Sequence, residues 1–117
     1  MPDSARETFA RNLSYILNST GKSQIDVARA LDVATGTVSS WVNGQKFPRI
    51  DTLQQLADFL GVRMAVLTED NGITVFTEEA AERRLLSAWR AADDRAREDA
   101  LKTLLDHPRK KETLMAE

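Results

Sequence analysis

The stretch Gln24–Gly44, QIDVARALDVATGTVSSWVNG, decides how this chain is read. Ile25, Val27, Ala28 and Leu31 recur at helical spacing in its first part, and Val38, Trp41 and Val42 do so in its last part. Ser23 offers an N-cap to the first of these helices and Thr35 offers one to the second. The connection through Asp32, Val33 and Ala34 is too short to let the two helices lie antiparallel, so they must cross steeply. Ala28 stands where they approach most closely, and Val27, Leu31, Val33, Val38 and Trp41 lock the crossing. The outer face of the second helix is left small and rich in hydroxyls: Thr35, Gly36, Thr37, Ser39 and Ser40.

Outward from this pair, the same periodicity continues in both directions. Upstream, Phe9, Leu13, Ile16 and Leu17 form one apolar stripe between about Ser4 and Ser19. Downstream, Pro48 introduces a fourth helix carrying Ile50, Leu53, Leu56, Ala57 and Leu60, and a short segment with Val62, Met64 and Leu67 closes the bundle. Gly21, Gly44 and Gly61 each follow an amphipathic stretch, where a left-handed residue ends a helix. The expectation is an all-α chain whose residues 4–70 form a compact domain of five short helices.

Beyond it, Gly72 sits in the polar stretch TEDNGITVF, which reads as a linker set at residues 71–77, followed by a helical segment over 78–107 and a polar tail over 108–117. Thr77 can cap that segment, and Glu78 and Glu79 suit the positive end of a helix. Ala81, Leu85, Trp89, Ala92, Ala96, Ala100 and Leu104 would line one face of a single long helix. The Asp93-Asp94 pair interrupts that reading, because aspartate is a mediocre mid-helix residue and a good N-cap. A hairpin of two helices, near 78–91 and 94–106, is the other possibility and the one the pair favours. Arg109-Lys110-Lys111 in the tail reads as solvated charge.

Composition narrows the chemistry. The chain has 117 residues, 42% hydrophobic and 29% charged, which is ordinary globular usage. It has no cysteine, which excludes disulfides, thiolate metal sites and cysteine nucleophiles. A single histidine, His107, excludes a histidine metal cluster and a catalytic triad. No nucleophile, base, metal ligand or phosphate loop is clustered, so neither catalysis nor a cofactor is expected. Apolar runs are too short for a membrane span, and the polar start, MPDSARETFARN, is unlike a signal peptide, so a cytoplasmic protein is expected. The net charge is −2. Only six of the eighteen acidic residues fall within 1–63, against seven of the sixteen basic ones, so the acidity belongs to the second half. A local basic stripe in the first half can still hold phosphate.

The crossed pair has the spacing of a DNA-binding helix-turn-helix, whose second helix enters the major groove. Over about residues 9–67 the chain resembles the phage-repressor and Cro class, also called the xenobiotic-response-element family. The resemblance rests on the motif itself, on WVNG at Trp41–Gly44, on Pro48, and on TLQQLADFLGV at Thr52–Val62. One departure is Asp32, where the family usually has glycine in a left-handed turn; aspartate is among the few other residues that tolerate that backbone.

The resemblance implies roles for individual residues. Gln24 would bond a phosphate and brace the second helix. Thr35, Gly36, Thr37, Ser39 and Ser40 would face base edges or flanking phosphates. Asn43, Lys46 and Arg49, with Gln45 between them, would follow the phosphate backbone, and Arg11 would add a further phosphate bond. Until Asn43 this helix lacks arginine, lysine, asparagine and glutamine, so two-pronged base contacts are scarce. Specificity would then lean on thymine methyls, bridging water and DNA shape.

One such domain spans few base pairs, so a homodimer on a pseudo-palindromic double-stranded operator is expected. Leu85, Trp89, Leu101, Leu104 and Leu105 give the C-terminal segment more apolar surface than an isolated hairpin can hide, which marks it for dimerisation. The expected function is a transcriptional repressor of prophage or bacterial promoters. Residues 71–117 are too few for the self-cleaving domain of larger phage repressors, so relief by a protein antirepressor, by a competing regulator or by proteolysis is expected instead. The alternative is an antitoxin that covers a toxin and autoregulates its own operon.

Overall fold

Ser4 opens the first helix: its hydroxyl accepts the Glu7 backbone N–H at 3.2 Å, satisfying one of the donors a helix start leaves free. The computed structural model describes residues 4–107. Seven helices follow one another in this range: α1 (Ala5–Thr20), α2 (Gln24–Leu31), α3 (Thr35–Val42), α4 (Ile50–Leu60), α5 (Met64–Thr68), α6 (Gly72–Ala91) and α7 (Asp94–Asp106). Gly21, Gly44 and Gly61 have positive φ, as the punctuation reading expects. The chain divides into two compact units, with the boundary between Ala80 and Ala81 inside α6.

In the first unit α1 packs on α3 and α5, α2 packs on α3 and α4, and α4 packs on α5. Phe9, Leu13, Ile16, Val27, Val38, Leu56, Ala57 and Leu67 are fully buried at the centre. Trp41 joins them edge-on to Phe9, with ring centroids 6.4 Å apart, so its indole serves the core and is not offered to nucleic-acid bases. Two apolar positions depart from the expected stripes. Ile25 and Ile50 lie exposed, Ile50 at 72%, because each falls in the first turn of its helix, outside the packed crossing.

Two expected N-caps are also shifted. Ala34, in extended backbone, holds the N-cap position of α3, and Thr35 is its first helical residue, with no side-chain cap hydrogen bond. Thr77 does not start a helix: its hydroxyl donates to the Ile73 carbonyl from inside α6. The stretch expected as a linker is therefore helical from Gly72 onward. The reason is packing. Phe76 is buried edge-on against Tyr15, with centroids 6.2 Å apart, and Arg63 pairs with Glu79. Asn12, fully buried, donates its amide to the carbonyls of Leu67 (3.2 Å) and Glu69 (2.8 Å), fixing the α5–α6 turn against α1.

The start of α2 carries a capping box: the Ser23 hydroxyl accepts from Asp26 N at 3.1 Å, and the Asp26 carboxylate accepts from Ser23 N at 2.8 Å. The Ser23 backbone N–H, and then its hydroxyl, hold the Asp26 carboxyl below the usual carboxylate range. A carboxylate whose folded pKa is depressed stabilises the fold above its unfolded pKa, about 3.8, and this stabilisation fades as pH falls through the folded value. Asp26→Asn is therefore expected to lower stability at neutral pH and to converge on the wild type in acid. Thermal unfolding of both proteins from neutral pH down through the acidic range checks this; parallel curves would remove the capping box from the account.

The second unit contains the two-helix hairpin rather than one continuous helix. Asp93 is the N-cap of α7, its carboxylate accepting from Ala96 N at 2.8 Å. Arg97 reaches back to the C-terminal carbonyls of α6, donating to Trp89 O at 2.9 Å and Arg90 O at 3.2 Å, with its guanidinium 5.9 Å from the Trp89 ring centre. A cation on those C-terminal carbonyls closes the corner without glycine or proline. Arg109, Lys110 and Lys111 lie outside the described residues.

Candidate nucleic-acid interface

The turn between α2 and α3 is made at Asp32, with φ 56° and ψ 50°, the one non-glycine residue of positive φ among those described. Its N–H and that of Val33 both return to the Ala28 carbonyl, the latter at 3.0 Å. The turn ends α2 and starts α3 within three residues. The buried faces of Ala28, Val38 and Trp41 then fix the crossing and leave the N-terminal end of α3 outward.

On that end Thr35 and Gly36 are exposed and Thr37, Ser39 and Ser40 are half-buried. A methyl group added at Gly36 would meet nothing within 4 Å, so nothing inside the chain requires glycine there. The Ser40 hydroxyl donates to the Gly36 carbonyl at 3.0 Å, which uses its proton and leaves its lone pairs outward. Asn43 donates its side-chain amide to the Ser39 oxygen at 3.3 Å, so the Ser39 proton stays available. The helix thus offers hydroxyls of both polarities.

Asn43 is also the C-cap of α3, its N–H returning to Ser39 O at 3.0 Å. The chain then folds back, with Gln45 N and Lys46 N both donating to Ser40 O at 2.9 and 3.2 Å. This hooks the loop to the end of α3. Lys46 and Arg49 are exposed on it, on either side of exposed Phe47 and buried Pro48. Gln24, at the first position of α2, is half-buried in a cleft of about 340 Å³ that it shares with Asn18, Lys22 and Ser23.

The expected residues of the first unit therefore fall on α3, on the loop after it, and on the first turn of α2. Arg11 is turned elsewhere, donating to the Asp70 carbonyl at 3.5 Å, in service of the α5–α6 turn. Arg6, which the sequence reading passed over, bonds the loop after α3 through the Gln45 carbonyl at 3.3 Å. Only the tertiary fold brings that pair together, across 39 residues. In the hairpin, Leu85, Leu101, Leu104 and Leu105 are 47% to 75% exposed, and Trp89 is half-buried. With Leu86 and Ala100 most of them line an apolar groove of about 440 Å³ between α6 and α7. Among the described residues no three His, Asp or Glu side chains converge as a metal site, and no helix is long and apolar enough to cross a membrane.

Residues 13–67 match the helix-turn-helix family. The 26 kDa repressor protein of Escherichia phage HK022 is 38% identical over 77 residues, which are 60% of this chain and 33% of that protein. This chain thus spans about a third of the relative's length. Among solved structures, the SOS-response transcriptional repressor LexA from Eubacterium rectale superposes with a TM-score of 0.56 at 28% identity, covering 60% of this chain and 74% of that one. The clp gene regulator ClgR from Corynebacterium glutamicum shares the fold over 92% of this chain and 98% of its own, with a TM-score of 0.53 at 24% identity. Residues 13–67 are accordingly a helix-turn-helix domain, similar over that stretch to the domains of repressor proteins.

Proposed function

We propose that this chain is a sequence-specific repressor that binds a pseudo-palindromic operator as a homodimer, laying the N-terminal half of α3 in the major groove. The observation that carries the reading is the outward end of α3, where Thr35 and Gly36 are exposed and glycine has no internal purpose. Lys46 and Arg49, exposed on the loop after α3, supply phosphate contacts, as do Gln24 at the start of α2 and Asn43 at the C-cap of α3. Thr35, Thr37, Ser39 and Ser40 touch bases through hydroxyls and methyls. Such contacts discriminate less than two-pronged ones, so thymine methyls, water and DNA shape share the selection.

The partner subunit is a second copy of the chain. No residue of α7 is buried, and the leucines of the hairpin face form one continuous apolar surface with Trp89. A face of this kind, on a protein that reads two-fold DNA, fits an isologous contact between copies.

A genomic footprint at moderate salt tests the reading. It is expected to show discrete protected sites made of paired half-sites about one helical turn, roughly 34 Å, apart. Diffuse protection without paired sites would overturn it. Gly36→Ala gives a sharper check. Alanine is the better helix residue by up to about 1 kcal/mol, so the folded domain is expected to gain stability. Operator affinity is expected to fall, because the added methyl blocks close approach of the backbone to DNA. Calorimetric unfolding together with a mobility-shift titration separates the two effects; unchanged affinity would mean that glycine is merely tolerated.

A further inference from the structure

Arg6 stands where helix electrostatics do not want it. It lies in the first turn of α1, whose unpaired N–H groups favour negative charge. Its guanidinium is instead spent on a loop 39 residues away along the chain, donating from Nη1 to the Gln45 carbonyl at 3.3 Å. Two further contacts run along the same track. A methyl group placed on Gly44 would sit 3.8 Å from the Ala10 Cβ and 3.9 Å from the Arg6 carbonyl oxygen, so the loop starts against α1. The Phe47 ring lies on Phe9, with centroids 5.2 Å apart. Lys46 is thus held between two residues that α1 grips, while its own side chain stays exposed.

We propose that Arg6 is a positioning residue for DNA binding: it pins the Gln45 carbonyl to α1 and so pre-forms the loop that presents Lys46 and Arg49 to phosphate. The proposal rests on the reading of that loop as a phosphate contact. A free loop must be ordered when DNA binds, and that cost is taken from affinity; a loop already clamped avoids it. The Arg6 charge is not itself the contact. It acts through Gln45.

The test uses the full chain and a fluorescently labelled duplex of random sequence at low salt, where phosphate contacts carry the binding. Arg6→Gln, Lys46→Ala and the double variant are titrated by anisotropy. Each single change is expected to weaken binding, by about fivefold for Arg6→Gln. The double variant is expected to bind little worse than the weaker single, because a released loop has already lost the Lys46 contact. Amide exchange adds a direct readout: Arg6→Gln should speed exchange at Gln45 and Lys46 and leave the α1 and α3 interiors unchanged. Arg6→Lys, which keeps a charged donor, should restore both.

Strictly additive losses, or unchanged exchange at Gln45 and Lys46, would overturn the proposal. If Lys46→Ala alone left affinity and its salt dependence unchanged, the loop would not be a phosphate contact, and that prior reading would fail instead.

Discussion

Gly72→Ala is expected to destabilise the first unit by about 2 kcal/mol or more, against the direction that helix propensity predicts. The new methyl would overlap the Val66 carbonyl oxygen and stand 2.6 Å from the Asn12 amide nitrogen and 2.9 Å from the Val66 carbonyl carbon. Two of those three neighbours are backbone and cannot swing aside, and the third is a buried amide already bonded to Leu67 O and Glu69 O. Overpacking of this kind costs about 1–3 kcal/mol and sometimes more, while alanine regains at most about 1 kcal/mol in a helix. The clash wins. Urea unfolding of both proteins measures it, and an unchanged or raised midpoint would show that α6 does not start tight against α5.

Leu101→Asp is expected to have the largest effect on DNA binding while leaving the first unit folded. Leu101 is half exposed on the hairpin face, and no residue of α7 is buried, so a carboxylate there meets water in the isolated chain. In the proposed dimer the same carboxylate would be buried without a partner, which an apolar interface does not tolerate. Sedimentation should show a monomer in place of the dimer. Operator affinity should fall by about 100-fold or more, because the second half-site no longer binds at the high effective concentration that the link provides. A variant that still sediments as a dimer, or a monomer that binds the operator as tightly, would remove the hairpin from the dimer contact.

The expected folding pattern was legible wherever local rules act alone. The periodicity of Phe9, Leu13, Ile16 and Leu17, and of Leu53, Leu56, Ala57 and Leu60, placed α1 and α4 and named their buried sides. The Asp93-Asp94 pair marked the corner between α6 and α7 because aspartate prefers an N-cap, and Asp93 holds that position. The family resemblance implied a left-handed turn at Asp32, a backbone that aspartate tolerates, and φ 56° agrees. The outward residues of α3 were equally accessible, since their neighbours Val38 and Trp41 face inward.

What the periodicity misjudged were the ends of helices and the contacts across the fold. Ile25 and Ile50 fit an apolar stripe by spacing, but a stripe does not say how far along a helix the neighbour reaches. TEDNGITVF reads as a polar linker in which Ile73, Val75 and Phe76 alternate only weakly with Thr74, yet Phe76 finds Tyr15 and Gly72 finds Val66 only once α1 and α5 are assembled.

The amino-acid order alone thus determined the helices, the crossed pair and the small hydroxyl-rich face of α3, because capping, turn chemistry and helical spacing act within a few residues of each other. Tertiary packing decided the helical start at Gly72, the turning of Arg11 toward Asp70, and the bond from Arg6 to Gln45. Each of these joins groups distant along the chain, and no local pattern encodes a contact whose partner arrives only when the bundle closes.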